Sequence, residues 1–383
     1  MKKSLLFLLV LTSSIALAKS PLYPQESVMQ FAGAQTLTYF QKGKKEKPLV
    51  IFIPGDSHLA RIGYGYPQGN KKDFLAYWMH ERGFSFLGLS YPLDNPVYNN
   101  KYPNFTISQW GEQIAETAEY FIKQHGLSKK IVVLGWSMGG SVEQRVYEAA
   151  KKRGLEMEAF IGLAAVPPLP FVMQSGPFDT NIITKDKLAD RKKLYPWCIE
   201  QLELQNHLNN HTIIPAELYK AEFIGDIPAG ISAEGYYLKD NQFIHSNEMT
   251  YEDSGVFNFG KTPWIALIVD DAKEDAKISL IDPYSWDYLR AEMIYKRYLK
   301  PGINPDRWKS IQDIVRKIPV QLLTKVHGTH FFFVGEQGAK ATAAHIESLL
   351  KRVNYFKDLL KRQKAPVKDH ALAKLESGVV ESV

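Results

Sequence analysis

A five-residue stretch with the sequence GWSMG, at positions 135–139, places a serine between two glycines. The apolar segment 131–134 comes directly before it, and an amphipathic segment of helical period follows. A serine on so sharp a turn between strand and helix needs small neighbours, because the strained backbone brings Cβ atoms together. Gly135 and Gly139 remove those atoms, so the pattern predicts that Ser137 is a nucleophile.

A serine hydroxyl is a weak nucleophile near neutral pH, so a base has to lie beside it. His327 and His330 both lie directly after the last predicted strand, at 320–326. We predict that His330 is the base, because Gly328 lets the loop turn and the aromatic residues after it can pack beneath the ring. His327 is predicted to be structural or to lie at the rim.

A third group must orient the base, and it is expected at the end of the preceding strand, predicted at 264–269. Three aspartates follow that segment. Asp270 adjoins the strand, Asp271 is one step further, and Asp275 suits a longer loop. We predict Asp271 as the orienting acid and keep Asp275 as the alternative.

The negative charge on the reacting oxygen needs two donors. The N–H of Met138, at a helix N-terminus, is the first. The second is expected from the loop after the first core strand, where Gly55 allows a close approach and the backbone N–H of Asp56 is the natural donor. Ser57 and His58 either form a local hydrogen-bonded turn there or contact substrate.

These residues need a scaffold, and residues 48–165 alternate between short apolar runs and amphipathic segments of helical period. Strands are predicted at 49–53, 84–89, 131–134 and 159–165, after a hairpin formed by 28–31 and 36–40. Such alternation implies a mostly parallel sheet between two layers of helices. The pattern stops at about 167–260 and resumes at 264, which indicates an insertion into an α/β core.

Taken together, the elbow at 135–139, the pair 55–56 and His330 resemble the α/β-hydrolases, whose triad residues follow the chain order Ser, Asp, His. The resemblance covers about residues 28–360 apart from the insertion. It implies an eight-stranded sheet, no cofactor, and a cap inserted after the sixth strand. The sequence departs from the family in two places: Pro54 stands where a histidine is usual, and the acid loop lacks its customary glycine.

Five regions follow from these patterns. We predict a signal peptide at 1–18, the first part of the core at 19–166, a cap at 167–260, the second part of the core at 261–363 and a flexible tail at 364–383. The cap brings six aromatic residues that either wall a pocket over Ser137 or form the cap's own core. They are Trp197, Tyr219, Phe223, Tyr236, Tyr237 and Phe243.

Composition excludes other classes of protein. The chain has 383 residues, of which 45% are hydrophobic and 23% charged, which is typical of a globular protein. Its net charge of +6 is too scattered to indicate a nucleic-acid partner. Cys198 is the only cysteine and is predicted to be an apolar filler. His207 and His211 have the i, i+4 spacing of some zinc sites but no third ligand, so no metal is predicted.

The N-terminus indicates export, because two lysines precede the apolar run 5–11 and residues 16–18 offer a small-x-small cleavage pattern. The protein is therefore expected in a bacterial periplasm or outside the cell. The basic, amphipathic end of the chain, from about 349 to 364, either packs on the core or makes weak contact with an anionic membrane surface. The sequence leaves the oligomeric state open.

From the sequence we expect a secreted serine hydrolase that cleaves a carboxylic ester with a hydrophobic acyl or alcohol portion, through a covalent acyl-enzyme. The substrate is expected to be a small molecule or lipid-like ester. Two alternatives stay open: an amidase, thioesterase or peptidase with the same triad, and a binding protein that retains the fold without the activity.

Overall fold

The structure is a computed structural model and describes residues 22–169, 183–232, 234–300 and 305–363. Eight strands form one sheet. They are β1 (Glu26–Phe31), β2 (Ala34–Gln41), β3 (Leu49–Ile53), β4 (Ser85–Ser90), β5 (Lys130–Trp136), β6 (Glu156–Leu163), β9 (Ile265–Val269) and β10 (Leu323–Lys325). Their order in the sheet is β1-β2-β4-β3-β5-β6-β9-β10. Pairings β1–β2 and β2–β4 are antiparallel, and the others are parallel. The predicted α/β fold class and the lead-in hairpin are confirmed.

Helices cover both faces of this sheet. They are α1 (Arg61–Tyr64), α2 (Leu75–Glu81), α3 (Ile107–His125), α4 (Glu143–Lys152), α5 (Tyr195–Asn209), α6 (Ala216–Glu222), α7 (Asn247–Ser254), α8 (Asp282–Ile294), α9 (Trp308–Gln321) and α10 (Glu336–Gln363). Helices α2 and α10 pack on one face, and α3 and α4 pack on the other. Across the described ranges, no helix meets the combined demand of bilayer-spanning length and apolar character.

Strand β3 explains why the central strands are continuous apolar runs. Its five residues are fully buried, and successive side chains point to opposite faces of the sheet. Val50 and Phe52 therefore join the core beneath α2 and α10, while Leu49 and Ile51 join the core beneath α3 and α4. A strand covered by helices on both sides has no position for a polar side chain.

The longest helix before the elbow begins and ends where its sequence signals place it. Thr106 and Gln109 form a capping box at the start of α3, and Gly126 ends the helix in the left-handed conformation, with φ of 61°. Helix α3 packs against α4, which follows Ser137, so these signals help to fix the helix behind the elbow.

The last strand differs from the prediction of 320–326. Helix α9 continues to Gln321, and β10 has only three residues, Leu323–Lys325. Ile311, Ile314 and Ile318 form the buried stripe of α9, whereas Val320 lies on its solvent side with 74% of its surface exposed. The helical period of those isoleucines therefore extends the helix past the predicted boundary.

Between β6 and β9 the chain leaves the sheet. The described residues of this segment form α5, α6, the antiparallel hairpin of β7 (Tyr236–Lys239) and β8 (Gln242–His245), and α7. The predicted cap falls on these elements, and its exact boundaries stay a prediction. The predicted signal peptide and the predicted tail lie outside the described residues.

A buried ion pair joins the first strand to α1. Both oxygens of the Glu26 carboxylate accept hydrogen bonds from Arg61, at 2.8 Å from Nε and 2.8 Å from Nη2. The side chains of both residues are fully buried. Tyr64 donates a further hydrogen bond to this carboxylate at 2.7 Å. Because each charge is buried, each depends on the other for its stability in the fold.

We expect Arg61→Met to lower the free energy of unfolding by about 3–5 kcal/mol, because it leaves the Glu26 carboxylate buried without its counter-charge. Urea unfolding of the wild type and of Arg61→Met measures this difference in the free energy of unfolding. The matched control is the double variant Glu26→Gln/Arg61→Met, which removes both charges and should recover part of the loss. Equal stability of the single and double variants would contradict this account.

Candidate active site

The serine of the elbow has a strained backbone. Ser137 follows the last residue of β5 with φ of +51°, in the left-handed region that non-glycine residues seldom adopt. A short 3-10 turn, Ser137–Val142, leads from it into α4. The first N–H groups of such a turn have no partner within the helix, so the N–H of Met138 is free of helical hydrogen bonding. The turn places Ser137 directly after the carboxyl end of β5, where the chain leaves the sheet.

The two glycines of the elbow are required by contacts. A Cβ atom at Gly135 would lie 2.4 Å from the ring of Phe160 and 2.7 Å from the carbonyl oxygen of Gly139. A Cβ at Gly139 would lie 3.1 Å from the carbonyl oxygen of Ile53. Since two of these contacts are to backbone atoms that cannot swing away, only glycine fits without displacing the turn.

His330 lies beside the elbow and is buried, with 2% of its surface exposed. Its carbonyl oxygen accepts a hydrogen bond from the indole of Trp136 at 3.0 Å, and the two rings are 5.3 Å apart. Trp197, from α5 of the cap, lies on the ring at 5.2 Å. Trp136 is the neighbour of Ser137 in the chain, so this packing ties the His330 ring to the segment that carries the serine.

The acid that contacts His330 is Asp275. Its Oδ2 lies 2.6 Å from Nδ1 of His330, and Asp275 is 5% exposed. The short 3-10 turn Lys273–Asp275 brings the carboxylate back toward the ring. A hydrogen bond from Nδ1 to a buried carboxylate leaves Nε2 as the nitrogen able to take a proton.

The prediction that Asp271 orients His330 is corrected by this geometry. The Asp271 carboxylate lies 3.0 Å from Nδ1 of His327 and accepts the backbone N–H of Gly328 at 3.1 Å. Both side chains of this pair are substantially exposed, and these contacts lower the pKa of Asp271. The loop runs further before it turns back, so the alternative acid, Asp275, occupies the position beside His330.

A second buried carboxyl, Asp270, adjoins this pair. It is fully buried, and its Oδ1 accepts the backbone N–H of Ala272 at 3.0 Å, which shapes the start of the acid loop. Burial, together with the neighbouring Asp275 carboxylate, raises the pKa of Asp270 to about 7. Asp270 is therefore largely protonated in mildly acidic solution and ionised in alkaline solution.

Asp270, Asp275 and His330 form the group, within the described ranges, whose ligand atoms could share a metal ion, since these atoms lie within 4.8 Å of one another. The 2.6 Å between Nδ1 of His330 and Oδ2 of Asp275 is a hydrogen-bond distance, shorter than the roughly 3.3 Å that two ligands about 2 Å from a tetrahedral metal would keep. The arrangement instead fits a shared proton. His207 and His211 belong to no such group of described residues, and His211 pairs with Asp73 at 2.8 Å.

The loop after β3 approaches the serine from the other side. A Cβ at Gly55 would lie 2.7 Å from Cβ of Ser137, so only a glycine allows the two backbones to meet. The carboxylate of Asp56 is occupied elsewhere: it accepts the Ser57 hydroxyl at 3.0 Å and lies 3.4 Å from Nε of Arg191. The Asp56 carboxylate therefore has partners of its own, and the role of the Asp56 N–H as an oxyanion donor stays a prediction.

His58 holds the same loop through both ring nitrogens. Its Nδ1 lies 2.6 Å from the carbonyl oxygen of Asp56, and its Nε2 lies 2.5 Å from the hydroxyl of Tyr219. Burial lowers the pKa of His58 to about 3, so the ring is neutral and donates to one of these partners. The local-turn alternative for Ser57 and His58 therefore matches the structure.

The cap aromatics divide between the two predicted roles. Trp197 lies against His330 and borders the site. Tyr219 and Phe223 are fully buried between α6 and the core, and Tyr237 is buried on β7. Cys198 is also buried, which raises the pKa of its thiol to about 12 and fits the predicted filler role. No sequence signal distinguished Arg191, which reaches Asp56 from the cap, from the other basic residues there.

The order of the strands and the position of the elbow after the fifth strand give the chain the α/β-hydrolase fold. No protein-family model matches the sequence, and no curated protein matches it.

The chain is similar to several solved structures at low sequence identity. A thermophilic esterase from Thermogutta terrifontis has 13% sequence identity, a TM-score of 0.47, and matches over 86% of this chain and 99% of its own. A lipase-esterase related protein from Clostridium acetobutylicum has 15% identity and a TM-score of 0.43, over 82% of this chain and 99% of its own. A serine hydrolase from Cycloclasticus zankles has 15% identity and a TM-score of 0.39, over 87% and 99%.

Replacing Asp270 by Asn should make the protein more stable in alkaline solution. An unfolded aspartate has a pKa of about 3.9, whereas burial beside Asp275 raises that of Asp270 to about 7. The folded wild type therefore binds more protons than the unfolded chain between these values, and its stability falls as the pH rises through this window. Asparagine keeps the acceptor for Ala272 and has no charge to bury.

Between pH 5 and pH 8 we expect the wild type to lose on the order of 1–3 kcal/mol relative to Asp270→Asn. Urea unfolding of both proteins at the two pH values measures this difference. The same gap in stability at pH 5 and pH 8 would show that Asp270 does not titrate in this range.

Proposed function

We propose that the protein is a serine hydrolase that cleaves a carboxylic ester, with Ser137, His330 and Asp275 as its catalytic residues. The observation that carries this proposal is the buried 2.6 Å contact between His330 and Asp275 beside a strained elbow serine. Structural ion pairs between histidine and aspartate are common, but this one packs on Trp136, the chain neighbour of a serine whose backbone φ is +51°.

In the proposed reaction the Ser137 hydroxyl attacks the ester carbonyl while Nε2 of His330 takes its proton. The imidazolium that forms is stabilised by the Asp275 carboxylate at Nδ1. The carbonyl oxygen becomes an oxyanion and accepts hydrogen bonds from the N–H groups of Met138 and Asp56. His330 then gives the proton to the leaving alcohol, and an acyl-enzyme on Ser137 results.

Water completes the cycle by the reverse sequence. His330 takes a proton from the attacking water, the oxyanion forms again in the same place, and the acid leaves as the Ser137 hydroxyl is restored. Asp275 keeps its charge throughout, since its role is to hold the imidazole in the correct tautomer. Burial of the pair keeps bulk water from weakening that interaction.

The substrate is proposed to carry a hydrophobic acyl or alcohol portion. Trp197 supports this, because its ring lies 5.2 Å from that of His330 and gives the site an apolar border on the cap side. We propose further that the chain is exported, because residues 1–18 have the three-part pattern of a signal peptide.

Ser137→Ala should abolish both labelling by a fluorophosphonate probe and turnover of p-nitrophenyl esters, a loss of about 10⁴-fold or more. The test uses protein without residues 1–18 and esters of increasing acyl length, which also report on the apolar border. Ser141→Ala is the matched control, because Ser141 is a buried serine of the same turn with no assigned role. Labelling of the Ser137→Ala variant would refute the nucleophile.

A comparison of Asp275→Asn with Asp271→Asn tests the acid. We expect the first to lower kcat by about 10³–10⁴-fold, because the amide cannot stabilise the imidazolium or fix its tautomer. The second keeps an oxygen that can accept the Gly328 N–H, weakens an exposed contact with His327, and should change kcat by less than about threefold. Steady-state kinetics on one ester decides between them, and a larger loss from Asp271→Asn would reverse the assignment.

The same kinetics separate the ester hydrolase from its alternatives. Matched amide and thioester substrates with one acyl group compare the leaving groups directly, since acylation by Ser137 is common to all three. A protein that is folded but reacts with no serine-directed probe would favour the binding alternative.

A further inference from the structure

A tyrosine outside the proposed triad reaches the loop that carries one oxyanion donor. Tyr91 directly follows β4 and is fully buried. Its hydroxyl donates a hydrogen bond of 2.7 Å to the carbonyl oxygen of Gly55. Its ring packs edge-to-face on Trp110 of α3, with 5.0 Å between ring centroids. The hydroxyl is thus held in place by the core and is directed at one peptide group of the loop.

That peptide group is the one whose N–H belongs to Asp56. The carbonyl of Gly55 and the N–H of Asp56 lie on one planar trans peptide, so they point in opposite directions. Because Tyr91 draws the carbonyl toward the core, the N–H of Asp56 is directed away from Tyr91. Gly55 itself lies against Ser137, where an added Cβ would be 2.7 Å from the serine Cβ. The direction of this peptide therefore decides whether the loop presents a donor N–H or an acceptor carbonyl to the reacting oxygen.

The opposite orientation of the Gly55–Asp56 peptide would slow the proposed reaction. Glycine tolerates many backbone angles, so rotation of the peptide next to Gly55 meets little steric resistance from this residue. A rotated peptide presents its carbonyl oxygen, rather than its N–H, to the side where the N–H now points. An acceptor facing the oxyanion would repel the charge that a donor stabilises.

Other contacts hold the neighbouring peptides but bear less strongly on this one. His58 binds the carbonyl of Asp56 at 2.6 Å, and the carbonyl of Ser57 accepts the N–H of Gly225 at 2.9 Å. The Gly55 carbonyl has one further contact, a long one of 3.4 Å from the N–H of His58. Burial and the Asp56 carboxylate raise the pKa of Tyr91, so its hydroxyl keeps its proton and remains a donor.

We propose that Tyr91 is a positioning residue for catalysis, which orients the Gly55–Asp56 peptide so that the Asp56 N–H faces the oxyanion. The inference rests on the proposed function, since it assigns Tyr91 a part in that reaction. Tyr91 touches neither the substrate nor the reacting atoms. It acts through the Gly55–Asp56 peptide, so removing its hydroxyl weakens the stabilisation of the negative charge on the oxyanion.

The test is Tyr91→Phe, which keeps the ring against Trp110 and removes only the hydroxyl. We expect kcat for p-nitrophenyl ester hydrolysis to fall by about 10–100-fold while KM changes less than about threefold, because the contact matters mainly in the transition state. Affinity for phenylboronic acid, which becomes a tetrahedral anion on a serine, should fall in parallel with kcat. A merely structural role would lower stability without this division between kcat and KM.

Tyr298→Phe is the matched control, because Tyr298 is also a buried tyrosine but its hydroxyl accepts from Trp264, away from the loop. It should keep the kcat and the boronate affinity of the wild type. Circular dichroism and Tm verify that both variants are folded. If Ser137→Ala abolishes turnover but folded Tyr91→Phe keeps the kcat of the wild type, the inference about Tyr91 is wrong and the proposed function stands. If Ser137→Ala retains turnover, the proposed function itself fails.

Discussion

The strained backbone of Ser137 is the constraint on which the rest of the structure depends. A φ of +51° for a residue with a side chain is unfavourable by itself, and it persists only because the surroundings determine it. Strand β5 lies at the centre of a sheet with helices on both faces, and α4 begins directly after the turn. Gly135 and Gly139 clear the space that the turn needs. The energy of burying this core is what holds one serine in an unfavourable conformation.

How far the sequence predicts the structure depends on the range of the interactions involved. The elbow, the central strands and the caps of α3 are encoded by neighbouring residues, and each was found from local patterns. The aspartate that contacts His330 is not encoded in this local way. Asp270, Asp271 and Asp275 share one loop and differ only in where the backbone places them. The predicted start of the last strand is wrong for a related reason. β-branched residues near 320 resemble a strand, but the isoleucine stripe packs as a helix that continues to Gln321.

The insertion and the loop after β3 are joined by direct hydrogen bonds. Tyr219 of α6 binds His58, and the segment after α6 pairs with the loop through Gly225 N–H to Ser57 and Leu59 N–H to Phe223. None of these contacts has a sequence signature, because each joins residues more than 150 positions apart. Their effect is to make the position of this loop, which carries the proposed oxyanion donor, depend on the insertion as well as on the sheet.

The single buried cysteine has a practical consequence. Cys198 is 2% exposed, lies on the cap helix α5 beside Trp197, and is the only thiol in the chain. A thiol reagent can modify it only when that part of the molecule opens. The rate at which a maleimide reacts with native protein therefore measures how often the packing around α5 opens, with no engineered reporter and no second thiol to confuse the signal.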